Sequence, residues 1–308
     1  MPSVTLVESA KLSQDLIVQG VIENIISVNP IYQVLPFDQI EGNSLKYNRE
    51  NALGNVEFIT VGDTITAKAA ATFTTVTSSL TTLIGDAEVD HFIQTVRSNI
   101  NDQKAVQVAS KAKSIGRQYQ DTMVNGDTGV TADAFDGLIK LEAAGQQVST
   151  AANGEALSFV ILDALLDTVL AKDGQVDFLL MPARTIRSYL ALLRALGGAA
   201  INEVVSLPGG GTAPGYRGVP IFRCDWLPVN QTKGASGAVC TTIFAGCFDD
   251  GSRRVGISGL TPVQNSGVFV TEVGESETKN ETITRVRFYC GFAIFSEKAV
   301  AWANGITN

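Results

Sequence analysis

The chain has 308 residues, 45% hydrophobic and only 18% charged, with a net charge of −8 and a single histidine. That is ample material for a core, near the roughly 250–300 residues at which single cores divide, and it carries fewer charges than the roughly 25% of an ordinary domain, as suits a chain that covers some of its surface with partners. The acidic balance without any Lys/Arg run excludes the electrostatic footprint of a nucleic-acid binder, and one histidine excludes histidine-built metal centres.

Residues 6–28 predict an amphipathic helix, with Leu12, Leu16, Val21, Ile22, Ile25 and Ile26 near helical spacing. No basic region followed by an apolar run opens the chain, and no apolar stretch approaches the roughly 20 residues of a membrane span. Pro30 and Pro36 break the helix, and "NPIYQVLPF" reads as extended. From 44 to 84 the pattern changes to strand: "SLKYNREN", "NVEFITVG", then the Thr-rich "ATFTTVTSSLTTLIG". This is a long β-hairpin with little of its own to bury, and an isolated hairpin is marginal in water. Its packing surface has to come from elsewhere.

Residues 87–124 give the strongest helical signal. Val89, Phe92, Ile93, Val96 and Ile100 mark an inward stripe, continued after a phase slip by Ala105, Val108, Ala112, Ile115, Tyr119 and Met123. Asp86, Glu88 and Asp90 at one end and Lys111, Lys113 and Arg117 toward the other suit the helix dipole. Such a helix would be roughly 55 Å long. "NGDTG" ends it. Then follow an expected helix at 157–172, a strand at 176–181, a helix at 183–196 and a flexible loop, "LPGGGTAPGYRG", at 207–218. "VPIFRCDWL", "AVCTTIFAGCF" and "RRVGISG" read as strands, and "GVFVTEVG" and "ETITRVRFYCGFAIFS" as two long antiparallel strands joined by an acidic turn, "ESETKNE".

The residues present no catalytic constellation. His91 sits beside Phe92 with no nucleophile motif in the chain. "PGGGTAPG" lacks the Gly-Lys-Ser/Thr ending of a phosphate loop, and "DDG" at 249–251 lacks the spaced ligands of a calcium loop. Cys224, Cys240, Cys247 and Cys290 form no C-x-x-C pair and read as buried thiols in a reducing cytoplasm. No cofactor, metal or catalytic residue is expected.

The order of elements, an arm, a long hairpin, a long helix, an α/β segment and a returning strand pair, resembles the major capsid proteins of tailed bacteriophages, an α+β fold of the Hong Kong 97 type. Three stretches carry the likeness: "NGDTGVTADAFDGLIKL" (125–141), "VDFLLMPARTIRSYLALLRA" (176–195) and "YRGVPIFRCDWLP" (216–228). The resemblance implies an N-terminal arm at 1–43, an extended loop at 44–85, a peripheral domain with spine helix at 86–149 and 266–308, and an axial domain at 150–265. It further implies self-assembly into pentamers and hexamers of an icosahedral shell that encloses double-stranded DNA without sequence-specific binding. The expected location is the virion, after assembly in the host bacterial cytoplasm. Expected partners are further copies of the chain, a portal and a decoration protein. With the arm beginning near Met1, scaffolding would come from a separate protein or from none. Lys46, Arg49, Glu57, Lys68 and Phe73 are the expected interface residues of the extended loop, and Gly209, Gly210 and Gly211 the expected loop near the capsomer axis. Two alternatives stand beside this reading. An encapsulin shell shares the fold but begins with a helix in place of a long arm. An α/β enzyme would form a small oligomer with a deep polar pocket.

Overall fold

A computed structural model describes residues 30–97, 102–196, 204–207, 211–235 and 237–307; the helix expected at 6–28 lies outside them. The described chain builds two β-sheets and a separate two-stranded ribbon. Its first elements are a single helical turn α1 (Ile31–Val34), β1 (Phe37–Ile40), β2 (Ser44–Ala52), β3 (Thr72–Ser79) and β4 (Thr81–Asp90). The turn α1 corrects the extended reading of 30–36: Pro30 takes helical angles, and Ile31 is fully buried.

The expected helix at 87–124 is two helices preceded by a strand. Residues 81–90 alternate in burial, with Ala87 and Val89 inside, and all ten pair antiparallel with β13 (Glu281–Ile294). Period-two burial wins over the helical pattern because a long partner strand is present. Asp86, Glu88 and Asp90 are therefore strand residues. A short α2 (His91–Arg97) follows, and α3 (Gln103–Asn125) starts at Asp102, whose carboxylate accepts from the N–H groups of Lys104 and Ala105. At 23 residues α3 is about 35 Å long, well short of the length expected. The phase slip in the apolar stripe coincides with this break. Ile93 is buried, but Phe92 and Val96 are exposed, so they do not belong to the inward stripe.

β13 is the axis of the first sheet. It pairs with β4 over Glu281–Cys290, with β12 (Val268–Glu275) over Thr282–Phe288, and with β11 (Ile257–Pro262) over Gly291–Ile294; β1 adds parallel to β11. Helix α3 lies on this sheet through Tyr119. That ring is fully buried against Tyr32, Phe37, Phe135 and Phe288, and its hydroxyl donates to the Gly291 carbonyl at 3.3 Å.

The second sheet runs in the order β14 (Val300–Thr307), β10 (Ala238–Gly246), β5 (Phe178–Met181), β8 (Val219–Arg223), β7 (Thr212–Tyr216), β6 (Val204–Ser206), with β9 (Gln231–Lys233) also on β10. The expected helices here are α4 (Phe159–Thr168) and α5 (Ala183–Ala195), and α5 makes the crossover between the parallel strands β5 and β8. β5 is buried on both faces: Phe178 and Leu180 face the core shared with α3, while Leu179 and Met181 face the core under α4 and α5. The first of these cores also holds Phe288 and Phe292 of β13, so the two sheets share one continuous interior.

Four segments differ from the sequence reading. Residues 212–216, read as flexible loop, form β7, whose Ala213 and Tyr216 are buried; Tyr216 donates to Asp163. Residues 300–307, grouped with the long strands of the first sheet, pair with β10 in the second. Residues 37–40, grouped with the arm, and 257–262, grouped with the α/β segment, pair with each other in the first sheet. Strand partners are non-local, and no local pattern records them.

The stretch "NGDTGVTADAFDGL" is structural. Gly126 caps α3, Gly137 donates to its carbonyl at 2.9 Å, and Phe135 and Leu138 enter the core. A Cβ on Gly137 would lie 2.5 Å from the Thr122 carbonyl oxygen and 2.9 Å from that of Met123. Both are helix backbone and cannot yield. Gly137→Ala is expected to destabilise the subunit by about 1–3 kcal/mol, whereas Val96→Asp, on an exposed site, should stay within about 0.5 kcal/mol of the parent. Urea unfolding of the two variants checks both; equal losses would contradict the placement of Val96.

Candidate functional site: the unburied hairpin

β2 and β3 pair antiparallel from Ser44–Ser79 to Ala52–Thr72 and touch no other strand ladder. The hairpin expected at 44–84 thus ends at Ser79, because Thr81–Ile84 already belong to β4. Its base is fastened to its own subunit. Leu45, Tyr47 and Leu80 pack on the small cluster of Ile40, Leu260, Ala293 and Phe295. The Tyr47 hydroxyl donates to the Ile294 carbonyl at 2.8 Å, and Tyr47 meets Phe295 edge to face. Arg49 donates to the carbonyls of Phe295 and Ile294 and forms an ion pair with Glu297 at 3.1 Å. Arg49, expected to face a neighbour, is committed within the subunit.

Beyond the base, residues 53–71 form no strand ladder, "NVEFITVG" included, and a backbone bond from Asn55 N–H to the Ala69 carbonyl at 3.3 Å crosses the loop. Across from "NVEFITVG" stand small residues that offer no cross-strand packing. Side chains replace the missing ladder. Glu57 accepts from the backbone N–H groups of Thr66 and Ala67 and from the Thr66 hydroxyl, and the Asn55 side chain accepts from Ala69 N–H at 2.7 Å. These bonds, first that from the Thr66 hydroxyl, hold the Glu57 carboxyl below the usual carboxylate range. Glu57 therefore closes the loop. Lys46, Lys68 and Phe73 are exposed, as an interface role requires.

The residues that sequence reasoning missed are apolar. Leu53, Val56, Phe58, Val61 and Ile65 project from the tip; Val56, Phe58 and Val61 are essentially fully exposed. The signal was present in "NVEFITVG", but assigning it to a strand hid that it has no inward face. Five such side chains on one loop make an exposed apolar patch, and covering each would contribute roughly 1.5–3 kcal/mol. The remaining expected site residues lie elsewhere. Gly209 and Gly210 are outside the described residues, and Gly211 is exposed between β6 and β7, with its carbonyl accepting from Leu207.

Among the described residues, no other surface group offers a comparable candidate for chemistry. His91 contacts Thr282 at 3.3 Å and Glu275 at 3.6 Å. The cysteines are all buried and free, and burial pushes the Cys224 and Cys290 thiols up to about 12. A cavity of about 320 Å³ is lined by Glu142, Lys233, Cys240 and Trp302, and burial raises the Glu142 carboxyl to about 7. Among the described residues no three His, Cys, Asp or Glu cluster for a metal, and no helix is long and apolar enough to cross a membrane.

No family model matches the sequence, and no curated protein matches it. Solved structures do. The holo-SrpI encapsulin complex from Synechococcus elongatus PCC 7942 aligns with a TM-score of 0.72 at 19% identity, over 99% of this chain and 97% of that one. The capsid of a native GTA particle aligns at 0.65 and 13% identity over the whole of both chains, and the capsid of Myoviridae phage XM1 at 0.63 and 12%, over 95% and 97%. The chain has the Hong Kong 97-type capsid fold.

The anchoring role of Arg49 is open to measurement. Arg49→Ala is expected to raise amide exchange across 44–52 about tenfold or more, since charge-assisted bonds of this kind contribute about 1.5–3 kcal/mol, while the unfolding midpoint barely moves. Unchanged exchange would show that Tyr47 and Leu45 suffice.

Proposed function

We propose that this chain is the major capsid protein of a tailed bacteriophage, a structural subunit that self-assembles into the pentamers and hexamers of an icosahedral shell around double-stranded DNA. The observation that carries the reading is the hairpin: a ribbon fastened at its base and apolar at its tip, on a subunit whose fold matches shell proteins over its full length. A lone subunit leaves Phe58 and its neighbours in water; an adjacent copy covers them. Ordering of the loop and assembly of the capsomer are then coupled.

In this reading residues 1–43 form the arm, and the hairpin with its tip forms the extended loop, with Lys46, Lys68 and Phe73 facing the neighbour. The first sheet with α3 corresponds to the peripheral domain. The second sheet is the axial domain, with Gly209, Gly210 and Gly211 near the capsomer axis. The subunit is a component of the virion, assembled in the host cytoplasm, and it catalyses nothing. Scaffold, portal and decoration proteins are its expected partners. With a net charge of −8 the wall repels the polymer it encloses, and repulsion keeps DNA from adhering.

A second reading, an encapsulin-type compartment, is favoured by one observation: the encapsulin alignment has a higher TM-score than the GTA and XM1 capsids. Particle contents separate the two, because nuclease-protected double-stranded DNA marks a capsid and a protein cargo marks a compartment.

Replacing Leu53–Ala71 with a short Gly-Ser turn removes the apolar tip and spares Arg49, Tyr47 and the β2–β3 ladder. The variant is expected to fold with helix content unchanged and to form no closed shells in electron micrographs. Normal particles from it would defeat the proposal, and so would global unfolding.

A further inference from the structure

The two ends of β13 carry opposite electrostatic features. At its C-terminal end a groove of about 650 Å³ opens between the hairpin base, the turn at 143–146 and the segments on either side of β11 and β13. Its charged lining is Arg49, Glu50, Arg253, Arg254, Glu297 and Lys298, four cations against two anions in a protein whose net charge is −8. Arg49 is taken up by Glu297 and two carbonyls, and Arg253 by Asp38 at 3.0 Å and the Gln39 carbonyl. Arg254 and Lys298 are exposed, and their side chains have no partner among the described residues. The groove has the size of a small-ligand cleft: it admits a few side chains and not a folded element.

At the N-terminal end of the strand, the turn between β12 and β13 carries Glu275, Glu277, Lys279 and Glu281. Lys279 pairs with the buried Glu281 at 3.4 Å. Glu277 is exposed and unpaired among the described residues, and Glu275 is exposed with only His91 beside it at 3.6 Å. Two carboxylates thus project from the tip of a hairpin, and two uncommitted cations project into a groove.

They cannot meet within one subunit. β13 is 14 residues long, which holds its ends about 45 Å apart, and pairing along both edges keeps it rigid. We infer that the acidic turn 275–281 of one copy docks in the Arg254–Lys298 groove of another copy. The contact uses two different patches of the same chain, so it joins copies head to tail, and such contacts close into rings or cages where the rotation permits. It rests on the shell reading above, and it adds a charged lock, separate from the apolar tip of the hairpin, between the end of one subunit and the loop base of the next. Formed at a partly exposed site, it weakens with salt.

Charge reversal tests the pairing. Arg254→Glu with Lys298→Glu, and Glu275→Lys with Glu277→Lys, are surface changes at the two ends of the molecule. Each double variant should keep the parent's circular dichroism and melting, yet need about tenfold more subunit, or more, to form closed particles at low salt. The variant with all four changes restores opposite charges across the contact and should assemble near the parent's concentration. Parent-like assembly of either double variant overturns the inference, as does a folded quadruple variant that fails to assemble. A parent chain that forms no shells at all instead sinks the shell reading, which keeps the two failures apart.

Discussion

A 14-residue strand is kept straight in water by partners on its edges and cover on its faces, and β13 has both. β4 and β12 pair with its two edges up to Cys290 and Phe288, β11 with its last four residues, and Tyr119 of α3 closes over Phe288 and Gly291. Two other parts of the described chain take their position from this strand. The base of the hairpin hangs on its last carbonyls through Tyr47 and Arg49. The short segment that follows it turns directly into β14 and so into the second sheet. One rigid element thereby sets the distance between the acidic turn, the hairpin base and the sheet junction.

The second sheet depends on the first through a shared interior. β5 presents Phe178 and Leu180 to the core of Tyr119 and Phe292, and Leu179 and Met181 to the core of α4 and α5. Close packing transmits strain, so neither sheet shifts without disturbing the other. The stretch 53–71 stands apart from this interior: it puts apolar side chains in water and nearly nothing into the subunit's own core.

Burial also sets the chemistry of the interior apart from the surface. The thiols are enclosed, and Cys224 and Cys290 are pushed far from the thiolate form that reacts. The titratable groups with disturbed environments mostly serve structure: Arg285 holds the Asp86 carboxyl below its usual range and ties β4 to β13. The exposed groups described above are apolar at the hairpin tip and charged near the two ends of β13.

The sequence by itself determined the kinds of element and their order. The apolar run in "VDFLLM", the alternation in "ETITRVRFYCGF", the helical stripe from Ala105 to Met123, and the glycines of "NGDTG" and "FDGL" are local patterns, and local patterns are set by backbone sterics and side-chain period. It also showed that the hairpin lacks a core of its own. Only the tertiary structure decided the rest. Residues 81–90 carry Ala87 and Val89 on a face that fits a helix as well as a strand, and the presence of β13 selects strand. Arg49 reads as a free cation until Ile294, Phe295 and Glu297, nearly 250 residues later, close around it. "NVEFITVG" reads as a strand until its opposite side proves to be small residues that build no ladder with it. In each case the deciding partner is distant along the chain, and a partner brought near by folding leaves no mark on the local pattern of the residues it binds.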